Sequence, residues 1–394
     1  MLTSMTSGEQ IFSTLVLPYL NHAVRTYESG YASVADIDAA MRFGCGYPKG
    51  PLTVLDELGL ASVRDDLFAR HAETGDHLHE PAALLDKMAA SGRTFADEAA
   101  AAGQAAAPQL RREIAKVGVV GTGTMAAGIV QVFAQSGYDV VFVGRSQDKL
   151  DGVVAGIAKG LDRAIAKGRS TEEDKAAVLG RLHGSTEREA LGEVDLVVEA
   201  IAEDLEVKLA LFADLDRIAK PGAILATTTS SLSVTRLGAE TGRPEDVIGM
   251  HFFNPAPVMK LVEVITTPAT APEVDETVRA LTAAVGKVAV SAGDRAGFIV
   301  NLLLFPYLND AIRLHESGVG IADIDAAIKE HAGLPMGPFE LLDVVGNDVS
   351  LAIQKELHRE FGEPGFAPAA MLEAKVAAGD LGRKTGKGFH DYSK

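Results

Sequence analysis

The sequence predicts an α/β protein: one doubly wound, mostly parallel sheet flanked by two homologous all-α units. Three observations carry this reading. A glycine-rich turn near residue 121 joins an apolar run to a helical pattern, apolar runs then alternate with helical stretches as far as residue 290, and a block pattern near the start returns near the end.

The length of 394 residues calls for two or three domains, and 47% apolar residues suffice to fill their cores. No run of about 18 uncharged apolar residues exists, so no membrane span is expected. Met1 to Gln10 lacks the charged-then-apolar layout of a secretory signal. Cys45 is the only cysteine, which excludes an internal disulfide and fits a reducing compartment, so a soluble cytoplasmic protein is expected. A net charge of −17 argues against nonspecific nucleic-acid binding, which needs a basic face. An anionic cofactor remains compatible, because helix N-termini and a few lysines act locally. No metal site is expected.

The repeat organises the chain. Pro18-Tyr19-Leu20-Asn21, Glu28-Ser29-Gly30, Asp36-Ile37-Asp38-Ala39-Ala40, Gly50-Pro51 and Leu55-Asp56 form the first copy. Pro306-Tyr307-Leu308-Asn309, Glu316-Ser317-Gly318, Asp323-Ile324-Asp325-Ala326-Ala327, Gly337-Pro338 and Leu342-Asp343 form the second. Leu15, Tyr19 and Ala23 lie at helical spacing, as do Leu303, Tyr307 and Ala311. Gly46 to Pro51 and Gly333 to Pro338 must interrupt the helices, since proline lacks a donor and glycine loosens the backbone. An Ala/Gly/Gln-rich stretch at Ala99 to Ala107, followed by Pro108, reads as linker. The expected division is a helical domain at 1–97, a linker at 98–113, a dinucleotide-binding domain at 114–294 and a second helical domain at 295–394.

Lys116 to Val120 is a strand-type run leading into Gly121-Thr122-Gly123-Thr124-Met125-Ala126, after which a helical pattern runs through Phe133 to Gly137. Asp139 to Val143 makes the next strand. This is the strand–turn–helix setting of a Rossmann-type dinucleotide fingerprint, whose glycines let a pyrophosphate approach backbone N–H groups at the helix start. Gly121, Gly123, Thr124 and Met125 are therefore candidate cofactor contacts. Further strands are expected at Asp195 to Glu199, Ala223 to Ala226, Val247 to Met250 and Lys287 to Val290. The second strand usually ends in a carboxylate that binds the adenine ribose. Here Gly144-Arg145-Ser146 follows it, so either NAD or NADP is expected, with Arg145 placed to pair a 2′-phosphate.

His251 closes an apolar strand at the expected ligand-binding end of the sheet, and Glu263 follows on another apolar run after a Pro-rich turn. Oxidation of an alcohol by hydride transfer needs a base for the hydroxyl proton, and histidine suits that near pH 7. A carboxylate behind the imidazole would fix its tautomer. His183, His331 and His358 are read as structural. Together with Thr229-Ser230-Ser231-Leu232, His251-Phe252-Phe253-Asn254-Pro255, Gly297-Phe298-Ile299-Val300-Asn301 and Lys384-Thr385-Gly386-Lys387-Gly388-Phe389, the sequence from Ala115 to its end closely resembles the 3-hydroxyacyl-CoA dehydrogenase family.

The resemblance implies interconversion of a 3-hydroxyacyl-CoA and its 3-oxo form, short-chain, with His251 as base and Glu263 as its partner. It implies that Ser230 and Asn301 hold the 3-oxygen and thioester of a CoA-thioester substrate. Asn254, Glu203 and Lys208 match positions near the nicotinamide half of the cofactor, and Lys167 matches a lysine that meets the CoA phosphates, with Gly160 where the family has serine. Gly144 departs from the family's aspartate and Ala126 from its third glycine. A crystallin-like structural protein on the same fold is one alternative, and a dehydrogenase of a free 3-hydroxy acid another. The intact Ser230, His251, Glu263 and Asn301 oppose the first, and the His–Glu pair in place of a lysine base opposes the second. The first helical copy carries Ser13 where the second has Asn301, and is read as structural: an intramolecular pseudo-dimer with the second copy, a homodimer through other surfaces remaining open.

Overall fold

The computed structural model describes residues 7–103 and 106–393. The chain forms two units, Ala105–Arg295 and a second made of Met1–Gln104 together with Ala296–Lys394.

Ala105–Arg295 is built on eight strands: β1 (Lys116–Val120), β2 (Asp139–Val143), β3 (Leu182–Ser185), β4 (Leu196–Glu199), β5 (Ile224–Thr227), β6 (Val247–Phe252), β7 (Leu261–Thr266) and β8 (Val288–Gly293). Their order is β3-β2-β1-β4-β5-β6-β7-β8. Strands β1 to β6 run parallel, β7 pairs antiparallel with β6, and β8 is parallel to β7. The order in which the chain adds strands reverses between β1 and β4, the switch point at which doubly wound sheets bind ligands outside their carboxyl ends. Val117, Val119, Val198, Ala226, Ile248 and Met250 fill one core with Ile129, Phe133 and Leu281 of the covering helices. Being covered on both faces, most strands read as continuous apolar runs. The exception is β3, an edge strand of Leu182, His183, Gly184 and Ser185 whose partly exposed residues leave no apolar run to mark it.

The expected linker requires correction. Residues 98–102 belong to a helix, Phe95–Ala102, started by a capping box in which Thr94 and Asp97 bond reciprocally. Alanine is the strongest helix former, so an alanine-rich stretch behind such a cap extends the helix. Residues 109–112 are held within the sheet unit: Thr277 Oγ1 accepts from the backbone N–H of both Arg111 and Arg112, while Arg112 pairs with Asp246 at 2.6 Å and with Glu273 at 2.7 Å.

The helical unit explains the repeat residue by residue. Asn21, on the helix Gly8–Glu28, donates to the carbonyls of Leu78 and Glu80 and accepts from Ala82 N–H. Asn309, on Val300–Glu316, repeats this with Gly365, Ala367 and Ala369. Asp38 accepts from the N–H groups of Leu52 and Thr53 where the helix Pro51–Leu58 begins, and Asp325 accepts from Phe339 N–H at the start of Pro338–Val345. Asp56 accepts from Phe95 and Ala96, Asp343 from Phe389 and His390. These side chains satisfy helix-end and turn N–H groups that lack backbone partners. Gly50 and Gly337 are required beside them, since a Cβ would lie 2.1 Å from Asp38 and 2.2 Å from Asp325. Pro18 and Pro306 sit inside unbroken helices whose buried faces outweigh the lost hydrogen bond.

The two copies touch within this unit. Tyr19 packs on Tyr307 with ring centroids 5.9 Å apart, His22 on Phe366 at 5.8 Å, and His79 Nε2 lies 3.4 Å from Asp310 Oδ2.

Candidate active site

The glycine-rich turn follows β1. Gly121 takes φ +130, and a Cβ there would sit 2.5 Å from the Ala200 carbonyl oxygen, so only glycine fits. Gly123 caps the helix Thr124–Gln135 without a side-chain bond, and a Cβ there would meet nothing. Backbone N–H groups at the helix start thus face open space at the carboxyl end of the sheet, which is the geometry a pyrophosphate needs. Ala126 is fully buried, its methyl accommodated between helix and turn.

Beyond β2, Arg145 is exposed and makes no ion pair among the described residues. Gly144 has a reason of its own. A Cβ there would lie 2.5 Å from the Thr122 γ-methyl and 3.0 Å from Leu150. Thr122, the residue between the two glycines, therefore occupies the space a carboxylate-bearing residue would need.

At the ends of β4 and β5 a buried polar cluster forms. Glu199, fully buried, binds Lys208 Nζ at 2.8 and 2.9 Å, and accepts from Thr227 Oγ1 at 2.6 Å and Ile201 N–H at 2.7 Å. Lys208, 1% exposed, also reaches Glu203 at 3.2 Å. Glu203 Oε1 accepts from Thr229 Oγ1 at 2.6 Å and from the backbone N–H groups of Ser230 and Ser231 at 2.8 and 3.1 Å. Burial pushes the Glu203 carboxyl up, but the Lys208 ammonium and these hydrogen bonds overcome it and hold it below the usual carboxylate range. The sequence singled out Glu203, Lys208 and Ser230. Glu199 was missed, although a glutamate ending an apolar strand was a readable signal. Asp294 was also given no role; it accepts from Ser233 Oγ and from the N–H groups of Val234 and Thr235, fixing the far end of the Ser230 loop.

His251 and Glu263 are direct cross-strand partners on β6 and β7. Nδ1 of His251 lies 2.6 Å from Oε2 of Glu263; the histidine is 7% exposed and the glutamate fully buried. Antiparallel pairing puts paired side chains on one face, so the register itself creates the contact. The Phe253 ring stands 4.6 Å from the imidazole. Asn254 follows, exposed, and the Lys287 ammonium holds the succeeding turn by donating to the carbonyls of Ala256 and Met259 at 2.6 and 2.7 Å.

Two further expected site residues lie on other elements. Lys167 is exposed at the end of the 20-residue helix Gln147–Ala166, about 30 Å long, and makes no side-chain hydrogen bond or ion pair among the described residues. Asn301 belongs to the helical unit, 7% exposed in the first turn of Val300–Glu316. It follows Gly297 at φ +77 and Phe298 at φ +46, the only non-glycine positive φ among the described residues. Such strain accompanies residues whose direction is fixed by their surroundings.

Sheet order, glycine turn and a buried His–Glu pair together define a dinucleotide-binding oxidoreductase of the Rossmann class. Residues 116–295 match the family model for the 3-hydroxyacyl-CoA dehydrogenase NAD binding domain, and the model for the C-terminal domain of the same family matches twice, at residues 11–102 and 297–392. The chain belongs to the 3-hydroxyacyl-CoA dehydrogenase family. It is 43% identical over 280 residues to 3-hydroxybutyryl-CoA dehydrogenase of Clostridioides difficile, covering 71% of this chain and all of that one. With the mitochondrial hydroxyacyl-coenzyme A dehydrogenase of Rattus norvegicus it shares 46% over 288 residues, 71% of this chain and 91% of the relative. Among solved structures, (S)-3-hydroxybutyryl-CoA dehydrogenase from Ralstonia eutropha superposes with a TM-score of 0.70 at 42% identity, over 72% of this chain and all of that one. Among the described residues no helix is long and apolar enough to cross a membrane, and no group of three or more metal-ligating side chains occurs.

Proposed function

We propose that this protein interconverts short-chain (S)-3-hydroxyacyl-CoA and 3-oxoacyl-CoA, with His251 as the acid–base group. The observation that carries the mechanism is the 2.6 Å contact between His251 Nδ1 and Glu263. A carboxylate accepting from Nδ1–H leaves Nε2 as the nitrogen that takes the substrate's hydroxyl proton, and it stabilises the imidazolium that results. In the reducing direction the same nitrogen returns the proton to the 3-oxygen. The bound nicotinamide supplies the hydride acceptor or donor. Ser230 and Asn301 bind the 3-oxygen and the thioester, and Asn254 lies toward the nicotinamide half of the cofactor. Lys167 meets the CoA phosphates. Glu203 and Lys208, whose polar atoms engage Glu199 and the Thr229–Ser231 backbone, act by setting the position of Ser230. His251→Ala should lower kcat by about 10²–10⁴-fold with little change in KM. A variant within threefold of wild type overturns the assignment.

NADP(H) is accepted at least as well as NAD(H), because no carboxylate follows β2 and the exposed Arg145 can pair a 2′-phosphate. Comparing kcat/KM for NADH and NADPH tests this, and a tenfold preference for NADH refutes it. A switch toward NADH is expected from Gly144→Asp only when combined with Thr122→Ala, which removes the γ-methyl from the new side chain's space.

The chain comprises a sheet domain and two helical domains, the first of which docks on the second about a pseudo-twofold axis. Tyr19 and Tyr307, equivalent residues, touch each other, and the contact of His22 with Phe366 is mirrored by that of Asp310 with His79. Self-complementary contacts of this kind are what a twofold axis requires.

A further inference from the structure

The loop that carries Ser230 leaves β5 at Thr227 and is tied to a single buried carboxylate by two separate routes. Thr227 stands opposite Glu199 in the register of β4 and β5, which places both side chains on one face of the sheet. The first route runs through the helix Leu205–Ile218. Glu199 holds Lys208 Nζ with both oxygens, at 2.8 and 2.9 Å, and the ammonium reaches Glu203 Oε2 at 3.2 Å. Glu203 Oε1 then takes the N–H groups of Ser230 and Ser231 at 2.8 and 3.1 Å. The second route is shorter. Thr227 Oγ1 donates to Glu199 Oε2 at 2.6 Å and accepts from Thr229 N–H at 3.2 Å. A carboxylate can only accept, so it takes the one proton of the threonine hydroxyl and leaves a lone pair for Thr229.

Packing does not explain the cluster. Glu199 is fully buried, and Lys208 and Thr227 are each 1% exposed. Two charges so placed lose more hydration than a simple pair regains, and apolar side chains of the same size usually serve stability as well or better. What apolar side chains cannot do is direct the hydrogen bonds of the loop beyond them. The far end of that loop has its own anchor, since Asp294 takes Ser233 Oγ and the N–H groups of Val234 and Thr235. Glu199 therefore acts on the near end, where Ser230 lies.

We propose that Glu199, acting through Lys208 and Thr227, is a positioning residue that sets where the Ser230 hydroxyl meets the substrate's 3-oxygen. The catalytic part of this rests on the dehydrogenase reading, whereas the hold on the loop does not. Neither Glu199 nor Thr227 needs to touch substrate or cofactor in this role.

The test uses the full chain, assayed with acetoacetyl-CoA and reduced nicotinamide and followed by amide NMR. Glu199→Gln keeps the shape, replaces an accepting oxygen by an amide nitrogen and removes the charge that holds Lys208. It should lower kcat about 10²-fold, the scale of a misplacement of about 1 Å, with KM for acetoacetyl-CoA changed less than about threefold. Thr227→Val cuts only the second route and should lower kcat about tenfold. Thr227→Ser restores the hydroxyl and should recover most of that loss. The amide signals of Thr229 to Ser231 should move in Glu199→Gln and in Thr227→Val, while those of Val234 and Thr235 stay as in wild type. Where Glu199→Gln fails to fold, the two Thr227 variants decide. A wild type that does not reduce acetoacetyl-CoA removes the dehydrogenase reading, and the amide signals still decide whether Glu199 sets the loop. An active wild type in which either Glu199→Gln or Thr227→Val keeps kcat within about twofold overturns the proposal. So do loop amides that stay in place, or that move no more than those of Val234 and Thr235.

Discussion

The two helical copies place the same three polar residues at equivalent positions and use them in unequal surroundings. Asn21 and Asn309 bind their loops in the same way. The aspartates diverge. Asp343 is 1% exposed beneath the terminal segment Gly382 to Tyr392, whereas Asp56 is half-buried and caps the helix Phe95–Ala102. Asp325 accepts from His390 Nε2 at 2.7 Å in addition to Phe339 N–H, and among the described residues Asp38 has no histidine to match. The Lys-Thr-Gly-Lys-Gly-Phe segment exists only in the second copy, and so does an asparagine at the head of the long helix. Duplication preserved the residues that satisfy backbone groups; what changed is what covers them.

The largest way to break this comparison is to remove one side of it. Deleting residues 1–103 uncovers the second copy's face around Tyr307 and Phe366, which is expected to self-associate or aggregate. Light scattering checks this, and a truncated protein of unchanged mass per chain and equal stability would remove the case for intramolecular docking. Next in size is the catalytic asymmetry. Asn301→Ala should lower kcat/KM about 10²-fold, as loss of one oxygen-binding donor does, while Ser13→Ala stays within twofold. Comparable losses at both positions would mean that the first copy takes part in the reaction. The smallest effect lies in stability. Asp343→Ala leaves the buried N–H of Phe389 and the partly buried N–H of His390 unpaired and should cost about 2–4 kcal/mol. Asp56→Ala removes a helix cap in partly solvated surroundings and should cost about 1 kcal/mol. Equal changes in urea midpoint for the two variants would erase the distinction drawn from burial.

Much of this was legible because the relevant interactions are local or periodic. Gly121, Gly123 and the flanking runs mark a strand, turn and helix without outside help, and the bounds read for β2 match it residue for residue. β3 was not legible, since an edge strand of exposed His183 and Gly184 owes its place to pairing with β2 rather than to its own apolarity. The alanine-rich stretch misled for a related reason: small residues suit a linker, but the capping box at Thr94 makes the same residues a helix. The steric link between Thr122 and Gly144 was invisible, because 22 positions of sequence separate residues that the parallel sheet brings together.

By itself, then, the sequence determined most element types, the dinucleotide turn, the duplication and the two residues proposed to move a proton, since each depends on neighbours within a few positions or on a repeated pattern. Only the tertiary structure decided that His251 faces Glu263, because that rests on the antiparallel register of β6 and β7. It also decided that Glu199 anchors Lys208 and that Asp294 holds the loop after Ser230. Those are matters of which distant groups share one small, dry volume, and burial there sets the cost of leaving a polar atom unpaired.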